Sequence, residues 1–290
     1  WATIVGNVAN VVINYFFIYG IWIFPELGII GAAIGTIASR IIMLIFMHYI
    51  MKSKSKFHYY FEGFTLKEIK KEINLKIIKI GLPSSMQMFF EVALFTAAIW
   101  LSGSLGKNSQ AANQIALTLA SSTFMVAIGF SVAAMVRVSN TRGMKDYKQL
   151  IAVARSIFLL AIIVETFFAI VFVISHNFLP HLFLNMTDVS QQLENTEIIA
   201  IASKLLLVAA VFQISDGIQV VVLGALRGLQ DVKIPMYITF VAYWIIGFPI
   251  SYILGKHTDL GATGIWIGLL AGLTSAALFL YLRFSRLTKK

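Results

Sequence analysis

Two acidic residues lie within long apolar stretches of this sequence. Asp216 is near the middle of residues 198–226, and Glu91 lies inside residues 80–102. A carboxylate at bilayer depth costs about 2.5–3.5 kcal/mol on insertion scales, so it faces a bundle interior or a watery cavity and often marks an ion pathway. The two acids therefore predict an ion-coupled carrier.

The residues around these acids are polar or aromatic at helical spacing. Gln213 precedes Asp216 by three residues, and Gln87 and Phe95 flank Glu91 at four residues on either side, so each group shares a helix face. Oxygen ligands suit Na⁺, a hard cation. Two buried carboxylates that share a site also suit proton exchange. Both coupling ions are therefore compatible with the same residues.

The composition is that of a polytopic membrane protein. Hydrophobic residues make up 59% of the 290 residues and charged residues 12%, with a mean hydropathy of +0.84. A soluble domain contains about 25% charged residues. The chain has no cysteine, which excludes disulfides and thiolate metal sites. The net charge of +10 comes from basic residues between apolar stretches, so it indicates membrane topology and not nucleic-acid binding.

Eight stretches are long enough to cross about 30 Å of hydrocarbon as helices. They are residues 1–23, 28–51, 80–102, 110–137, 150–176, 198–226, 233–255 and 261–284. Lysines and arginines crowd segments 52–79, 137–148, 227–233 and 283–290, whereas Lys107 and Lys256 lie on the opposite side. The positive-inside rule then predicts that both ends of the chain are cytoplasmic.

Residues 52–79 form the one long connection in this scheme. Thr65 and Glu68 fit a capping box. An apolar stripe follows, with lysines opposite, formed by Leu66, Ile69, Ile73 and Ile77. The pattern predicts a helix that lies on the cytoplasmic membrane surface or links two bundles in solvent.

A turn motif recurs between the first and the last pair of spans. Glu26-Leu27-Gly28 with Gly31 and Gly35 matches Asp259-Leu260-Gly261 with Gly264 and Gly268, and residues 17–20 before the first copy match 252–255 before the second. Such parallel repeats are typical of two-lobed carriers. A full first lobe would need roughly four more helices before Trp1.

Several motifs together resemble the NorM branch of the multidrug and toxic compound extrusion (MATE) family. They are Gly81-Leu82-Pro83 with residues 88–95, residues 213–221 with 224–228 and Asp231, Tyr243-Trp244 with 247–249, and Asn14-Tyr15 with 17–20. The resemblance implies a twelve-helix antiporter with two six-helix lobes. Residues 1–51 would be the last two helices of the N-lobe, 52–79 a cytoplasmic amphipathic linker, and 80–290 the complete C-lobe.

The resemblance also implies a function and a site. The expected function is export of amphipathic, often cationic, drugs in exchange for Na⁺ or H⁺ by a monomer in the bacterial inner membrane, with no enzymatic activity and no cofactor. Glu91 and Asp216 match the family's second-lobe cation positions, and Phe95 matches an aromatic position beside them. Phe124 stands where some relatives have tyrosine, so one hydroxyl ligand of those relatives is missing.

Other polar residues within the spans are weaker candidates. Gln114, Thr118 and Ser122 follow one helical stripe, which indicates either a cavity wall or interhelical hydrogen bonding. Asn14 and Arg40 are candidates for a substrate cavity or for packing within a lobe. Glu165 lies in the middle of a predicted span, outside the family motifs and without an obvious partner.

Two other functions stay open at this level. A lipid-linked oligosaccharide flippase of a related fold group needs a basic cavity, for which Arg40 and Lys204 are the available cations. An eight-helix chain without a complete first lobe would be an inactive fragment. The sequence contains no G-x-x-x-x-G-K-[ST] loop, which argues against an ATP-driven pump.

Overall fold

The fold is entirely helical in the residues that the computed structural model describes, which are 1–54, 70–184 and 191–289. Eight helices in these ranges are long and apolar enough to cross a membrane. They are α1 (Ala2–Tyr19), α2 (Gly28–Ser53), α3 (Lys71–Gly103), α4 (Lys107–Gly143), α5 (Tyr147–Ser175), α6 (Gln192–Gly228), α7 (Lys233–Lys256) and α8 (Gly261–Thr288). A short 3₁₀ helix, Leu179–Leu182, follows α5. The predicted fold class and the eight predicted spans are confirmed.

Two helices begin earlier than hydropathy predicts. Helix α3 begins at Lys71 instead of residue 80, and α6 begins at Gln192 instead of residue 198. At 1.5 Å per residue, their 33 and 37 residues exceed the length needed to span the hydrocarbon. Hydropathy detects only the apolar part of a helix, whereas backbone hydrogen bonding continues into the polar flanks.

The predicted linker lies mostly outside the described residues. Its capping box, Thr65 and Glu68, and the first half of its apolar stripe, Leu66 and Ile69, fall there. The second half, Ile73 and Ile77, is exposed within the first turns of α3. The division into N-lobe, linker and C-lobe therefore stays a prediction.

The chain forms two compact units, residues 1–74 and 75–290. In the first unit, α1 packs on α2 through a polar seam. Asn14 donates a 3.2 Å hydrogen bond to Asn10, which donates a 3.4 Å bond to Ser39 of α2. Asn14 also lies directly against Gly35, where a methyl group would collide with its side-chain oxygen.

Helix α6 is the centre of the second unit, where it packs against α4, α5 and α8. Its small residues allow the close approach that drives helix association in lipid. A methyl group at Gly224 would lie 2.3 Å from the backbone oxygen of Ser131 on α4. At the same place, the Ser131 hydroxyl donates a 2.7 Å hydrogen bond to the backbone oxygen of Val220.

The repeated turn motif has the same structural role in both units. Gly28 and Gly261 both adopt a positive φ, of 51° and 52°, at the first position of α2 and α8. Gly31 closely approaches the Phe17 carbonyl, and Gly264 approaches the Leu254 carbonyl in the same way.

These contacts correct one predicted equivalence. Phe17 corresponds to Leu254 and not to Tyr252. Likewise Gly20, which caps α1, corresponds to His257, which caps α7, and not to Gly255. The first helices of the two pairs are therefore offset by 237 residues (254 − 17) and the second helices by 233 (264 − 31). The second turn is four residues shorter, which sequence matching of the turn alone does not detect.

A pair of glycine substitutions tests the packing of α6. We expect Gly224→Ala to destabilise the protein by about 1–3 kcal/mol, because the added methyl meets a backbone oxygen that has no room to move. Gly129→Ala on α4 is the matched control, since its methyl has no atom within 4 Å. Thermal unfolding of the purified protein measures both, and equal midpoints for the two variants would contradict this account of the packing.

Candidate functional site

The structure brings the two predicted acids together inside the second unit. Asp216 of α6 is only 5% exposed, and its Oδ1 has no hydrogen-bond partner among the described residues. Glu91 of α3 is half-buried, and its buried Oε1 is likewise unpartnered there. The two carboxylates interact electrostatically with each other. Two acids from helices far apart in sequence thus form one site.

Arg227, at the end of α6, is the positive group of this site. It interacts electrostatically with Glu91, and its Nη2 donates a 3.2 Å hydrogen bond to Oε1 of Gln87. Gln87 in turn donates a 2.8 Å bond to the backbone oxygen of Val232. The predicted neighbour Gln87 therefore positions Arg227 beside Glu91. Sequence reasoning used Arg227 as an orientation signal and as part of a family motif, but did not assign it to the site.

Helix α7 contributes a tyrosine that sequence reasoning did not assign to the site. Its residues Val241–Gly247 form a π-helical turn, a feature frequent at functional sites. Tyr243 in this turn is fully buried, its hydroxyl is unpartnered within the described chain, and it interacts with Glu91 and Asp216. Phe124 is half-buried against an apolar cluster formed by residues of α4, α5, α6 and α8. A tyrosine hydroxyl is thus present near the acids, but it comes from Tyr243 on α7 and not from position 124 on α4.

Gln213 and Glu165 extend the polar region along α6. Gln213 donates a 3.3 Å hydrogen bond to the backbone oxygen of Glu165, while its own Oε1 is unpartnered in the described chain. Glu165 interacts electrostatically with Asp216. The sequence places Glu165 in the middle of a predicted span, but it does not show which neighbouring helix the side chain faces.

An aromatic layer closes one side of the site. Phe95, one turn after Glu91, contacts Phe212 edge-on with ring centroids 6.0 Å apart. Phe212 contacts Trp266 at 5.1 Å, and Trp266 donates a 2.9 Å hydrogen bond to Asn113. This packing holds Phe95 against aromatic residues of α6 and α8.

Several residues that interact with the two acids have buried polar atoms without a protein partner. Besides Asp216 and Glu91, they are Glu165, Arg227 and Tyr243. Other such atoms within the described chain are on Asn14, Ser102, Asn113, Ser203, Gln213, Gln219 and Trp244. More than 90% of buried polar groups in proteins are hydrogen-bonded, to protein or to ordered water, so these atoms are available to water or to a bound ion. Within the described ranges, no three His, Cys, Asp or Glu side chains are grouped to hold a metal ion. Two carboxylates with neutral oxygens beside them can bind a cation or a proton.

The remaining candidates lie elsewhere. Gln114, Thr118 and Ser122 form an exposed face of α4, where the Thr118 and Ser122 hydroxyls bond the backbone one turn earlier. Asn14 belongs to the seam between α1 and α2, and Arg40 is exposed on α2. A substrate role for these five stays a prediction.

Comparison with known proteins gives the family. The family model MatE matches residues 83–253, which is more than half of the chain and includes α3 to α7. The chain belongs to the MATE family. Over all 290 residues it is 33% identical to the probable multidrug resistance protein NorM of Agrobacterium fabrum, and it covers 62% of that protein. The resemblance to the NorM branch is confirmed.

Solved structures agree on the fold. The chain superposes with a TM-score of 0.80 and 21% identity on an outward-facing multidrug resistance MATE family transporter, covering 100% of this chain and 62% of that one. For the eukaryotic MATE transporter AtDTX14, the TM-score is 0.81 at 20% identity, covering 98% and 60%. The chain thus spans about three fifths of the length of these relatives. It is a multi-pass membrane protein of a transporter family.

The unpartnered phenol makes a prediction about stability. We expect Tyr243→Phe to leave the thermal stability unchanged or raise it, because the hydroxyl it removes makes no hydrogen bond to the described protein. Ser251→Ala is the comparison, since the Ser251 hydroxyl donates a 2.9 Å bond to Ile265 and its loss costs about 1 kcal/mol. Thermal unfolding of the purified protein measures both. An equal loss in the two variants would show that the Tyr243 hydroxyl is bonded structurally.

Proposed function

We propose that this protein is a secondary active, cation-coupled antiporter that exports amphipathic and cationic drugs. The single observation that carries the proposal is the pair Glu91 and Asp216, two electrostatically coupled carboxylates with buried oxygens that have no partner in the described protein. Membership in the MATE family and the similarity to a probable multidrug resistance protein support the choice of substrates.

The coupling ion acts through the charge balance of the site. With Glu91 and Asp216 ionised and Arg227 positive, the site has one negative charge in excess, so a bound Na⁺ or H⁺ neutralises it. Burial makes this neutralisation strongly favourable, because a net charge in a low-dielectric region is costly. An ion that binds one conformation of the lobe more tightly than the other shifts the transporter toward that conformation.

The drug and the coupling ion compete for the negative charge of the site. An amphipathic cation is attracted to a negative site and is released when the ion cancels the charge. Exposed methionines and aromatic residues, such as Met88, Phe89 and Met125, provide adaptable apolar surface that suits varied substrates.

The membrane context follows from the charge pattern. The side rich in lysine and arginine faces the cytoplasm by the positive-inside rule, which places both ends of this chain there. We infer a location in the bacterial inner membrane, a monomeric transporter and no cofactor other than the coupling ion.

Substitution of the acids tests the proposal. We expect Asp216→Asn and Glu91→Gln each to abolish ion-driven efflux, because each leaves the site one carboxylate short while the protein still reaches the membrane. The measurement is ethidium efflux from drug-loaded cells that express the complete transporter, after an external sodium pulse or an acid pulse. Glu194→Gln is the matched control, since Glu194 forms an external ion pair of 2.7 Å with the exposed Lys107.

The two pulses distinguish the coupling ions. Efflux that follows sodium and is lost in Asp216→Asn establishes Na⁺ exchange at this site, and efflux that follows only acid establishes H⁺ exchange. Undiminished efflux in Asp216→Asn, with the Glu194→Gln control also active, would refute the proposed site.

Arg227 gives an independent test of the charge balance. We expect Arg227→Gln to lower the cation concentration for half-maximal efflux, by a factor of about 10 for each 1.4 kcal/mol of lost competition with the internal cation. Arg227→Lys keeps the charge and is the control. An unchanged or higher half-maximal concentration in Arg227→Gln would contradict competition between Arg227 and the coupling ion.

A further inference from the structure

A groove lies between the end of α5 and the first half of α6, opposite the basic segments 137–148 and 227–233. Its volume is about 340 Å³. His176 and Asn177 line its α5 side, and residues from Thr196 to Leu207 line its α6 side. Lys204, one of these, lies twelve residues before Asp216, or about 18 Å along the helix axis. The groove is therefore a second feature of this unit, well away from the ion site.

Lys204 gives the groove a positive charge that no described acid neutralises. It makes no ion pair within the described chain. The acids on the preceding turns of α6 are bonded to α4 instead. Glu194 pairs with Lys107 at 2.7 Å. Glu197 accepts a 2.7 Å hydrogen bond from Asn108. The charge of the groove therefore favours an anionic ligand, and a lysine binds phosphate as a point charge.

The lysine lies at the depth of lipid headgroups. The apolar stretch of α6 begins at residue 198, so Lys204 is six residues, or about 9 Å, inside it. A lysine near the end of a membrane helix packs its methylene groups on apolar surface and extends its ammonium to the interface. The Lys204 side chain is exposed, which leaves it free to do so. Its ammonium thus reaches the level at which phospholipid phosphates lie.

The floor of the groove contains a buried hydroxyl without a partner. Ser203 is 7% exposed, and its Oγ makes no hydrogen bond with the described residues. Serine and threonine within a helix commonly bond the carbonyl one turn earlier, as Thr196 does with Gln192 at 2.7 Å. The Ser203 hydroxyl is therefore left to bond a polar atom that enters the groove.

Apolar side chains continue from the lysine toward the middle of the membrane. Leu207 and Val211 follow Lys204 at three and seven residues, so the three lie on one face of α6. Leu207 is 41% exposed and Val211 55%. Ile199 and Ala200 add apolar wall to the groove itself. A cationic end at the interface with an apolar track below it matches an anionic headgroup that carries an acyl chain.

We propose that this groove binds an anionic phospholipid, with its phosphate against the Lys204 ammonium and one acyl chain along Leu207 and Val211. The Asn177 amide and the Ser203 hydroxyl donate to oxygens of the headgroup. Because the groove is lined by both helices, the bound lipid links the end of α5 to α6. The inference does not rest on the proposed exchange, since the acids of the ion site take no part in it.

Lipid titration of the purified protein tests the proposal. In a nonionic detergent, native mass spectrometry measures the dissociation constants of phosphatidylglycerol, which is anionic, and of the zwitterionic phosphatidylcholine. We expect tighter binding of phosphatidylglycerol, and we expect Lys204→Gln to weaken it about fivefold, the contribution of one lysine toward an anionic lipid. Lys256→Gln is the matched control, because it removes an exposed lysine at the same end of the bundle but outside the groove.

Two further arms distinguish a lipid from a free anion. Ala200→Phe fills the groove without a change of charge and is expected to weaken phosphatidylglycerol binding, while its exposed position leaves the fold intact. Inorganic phosphate is expected not to displace the lipid, because it has no acyl chain. Equal dissociation constants in Lys204→Gln and Lys256→Gln, or for the two lipids, would overturn the proposal. So would unchanged binding in Ala200→Phe or displacement of the lipid by inorganic phosphate.

Discussion

The cost of placing carboxylates inside a membrane helix bundle is the constraint on which this structure depends. Glu91, Glu165 and Asp216 come from three helices, and each has at least one buried oxygen without a partner in the described protein. Apolar residues at these positions would pack without such a cost. In the proposed function, a cation or a proton that binds there offsets this cost.

The rest of the second unit holds these acids where they interact. Glycines along α6 bring α4 and α5 close enough that Glu165 lies against Gly217 and Ser131 against Gly224. The π-helical turn of α7 contains Tyr243, which interacts electrostatically with two of the acids, and the Gln87 side chain accepts a hydrogen bond from Arg227. Small residues and a distorted helix are inexpensive in lipid because every backbone group remains bonded within the bundle. The residues that allow the helices to pack closely are therefore the same residues that position the acids.

The same turn motif connects a pair of helices in each of the two units. In both, a leucine precedes a glycine with positive φ that starts a helix, and the next glycine of the motif approaches a backbone carbonyl of the preceding helix. The pattern of residues was visible in the sequence, but the four-residue difference in turn length was not. Only the contacts of Gly31 and Gly264 align the first helices correctly.

The sequence alone determined the class, the number of spans, the family and the pair Glu91 and Asp216. Each follows from local signals: apolar length fixes a span, and an acid within a span is conspicuous because it is so unfavourable there. The sequence could not show which helix faces each residue. Arg227 looked like an interfacial charge, Tyr243 like part of a family motif, and Glu165 like an isolated acid. Their roles depend on helix rotation, on the π-helical turn and on glycine-mediated approach, and these are set by packing between segments that are distant in the chain.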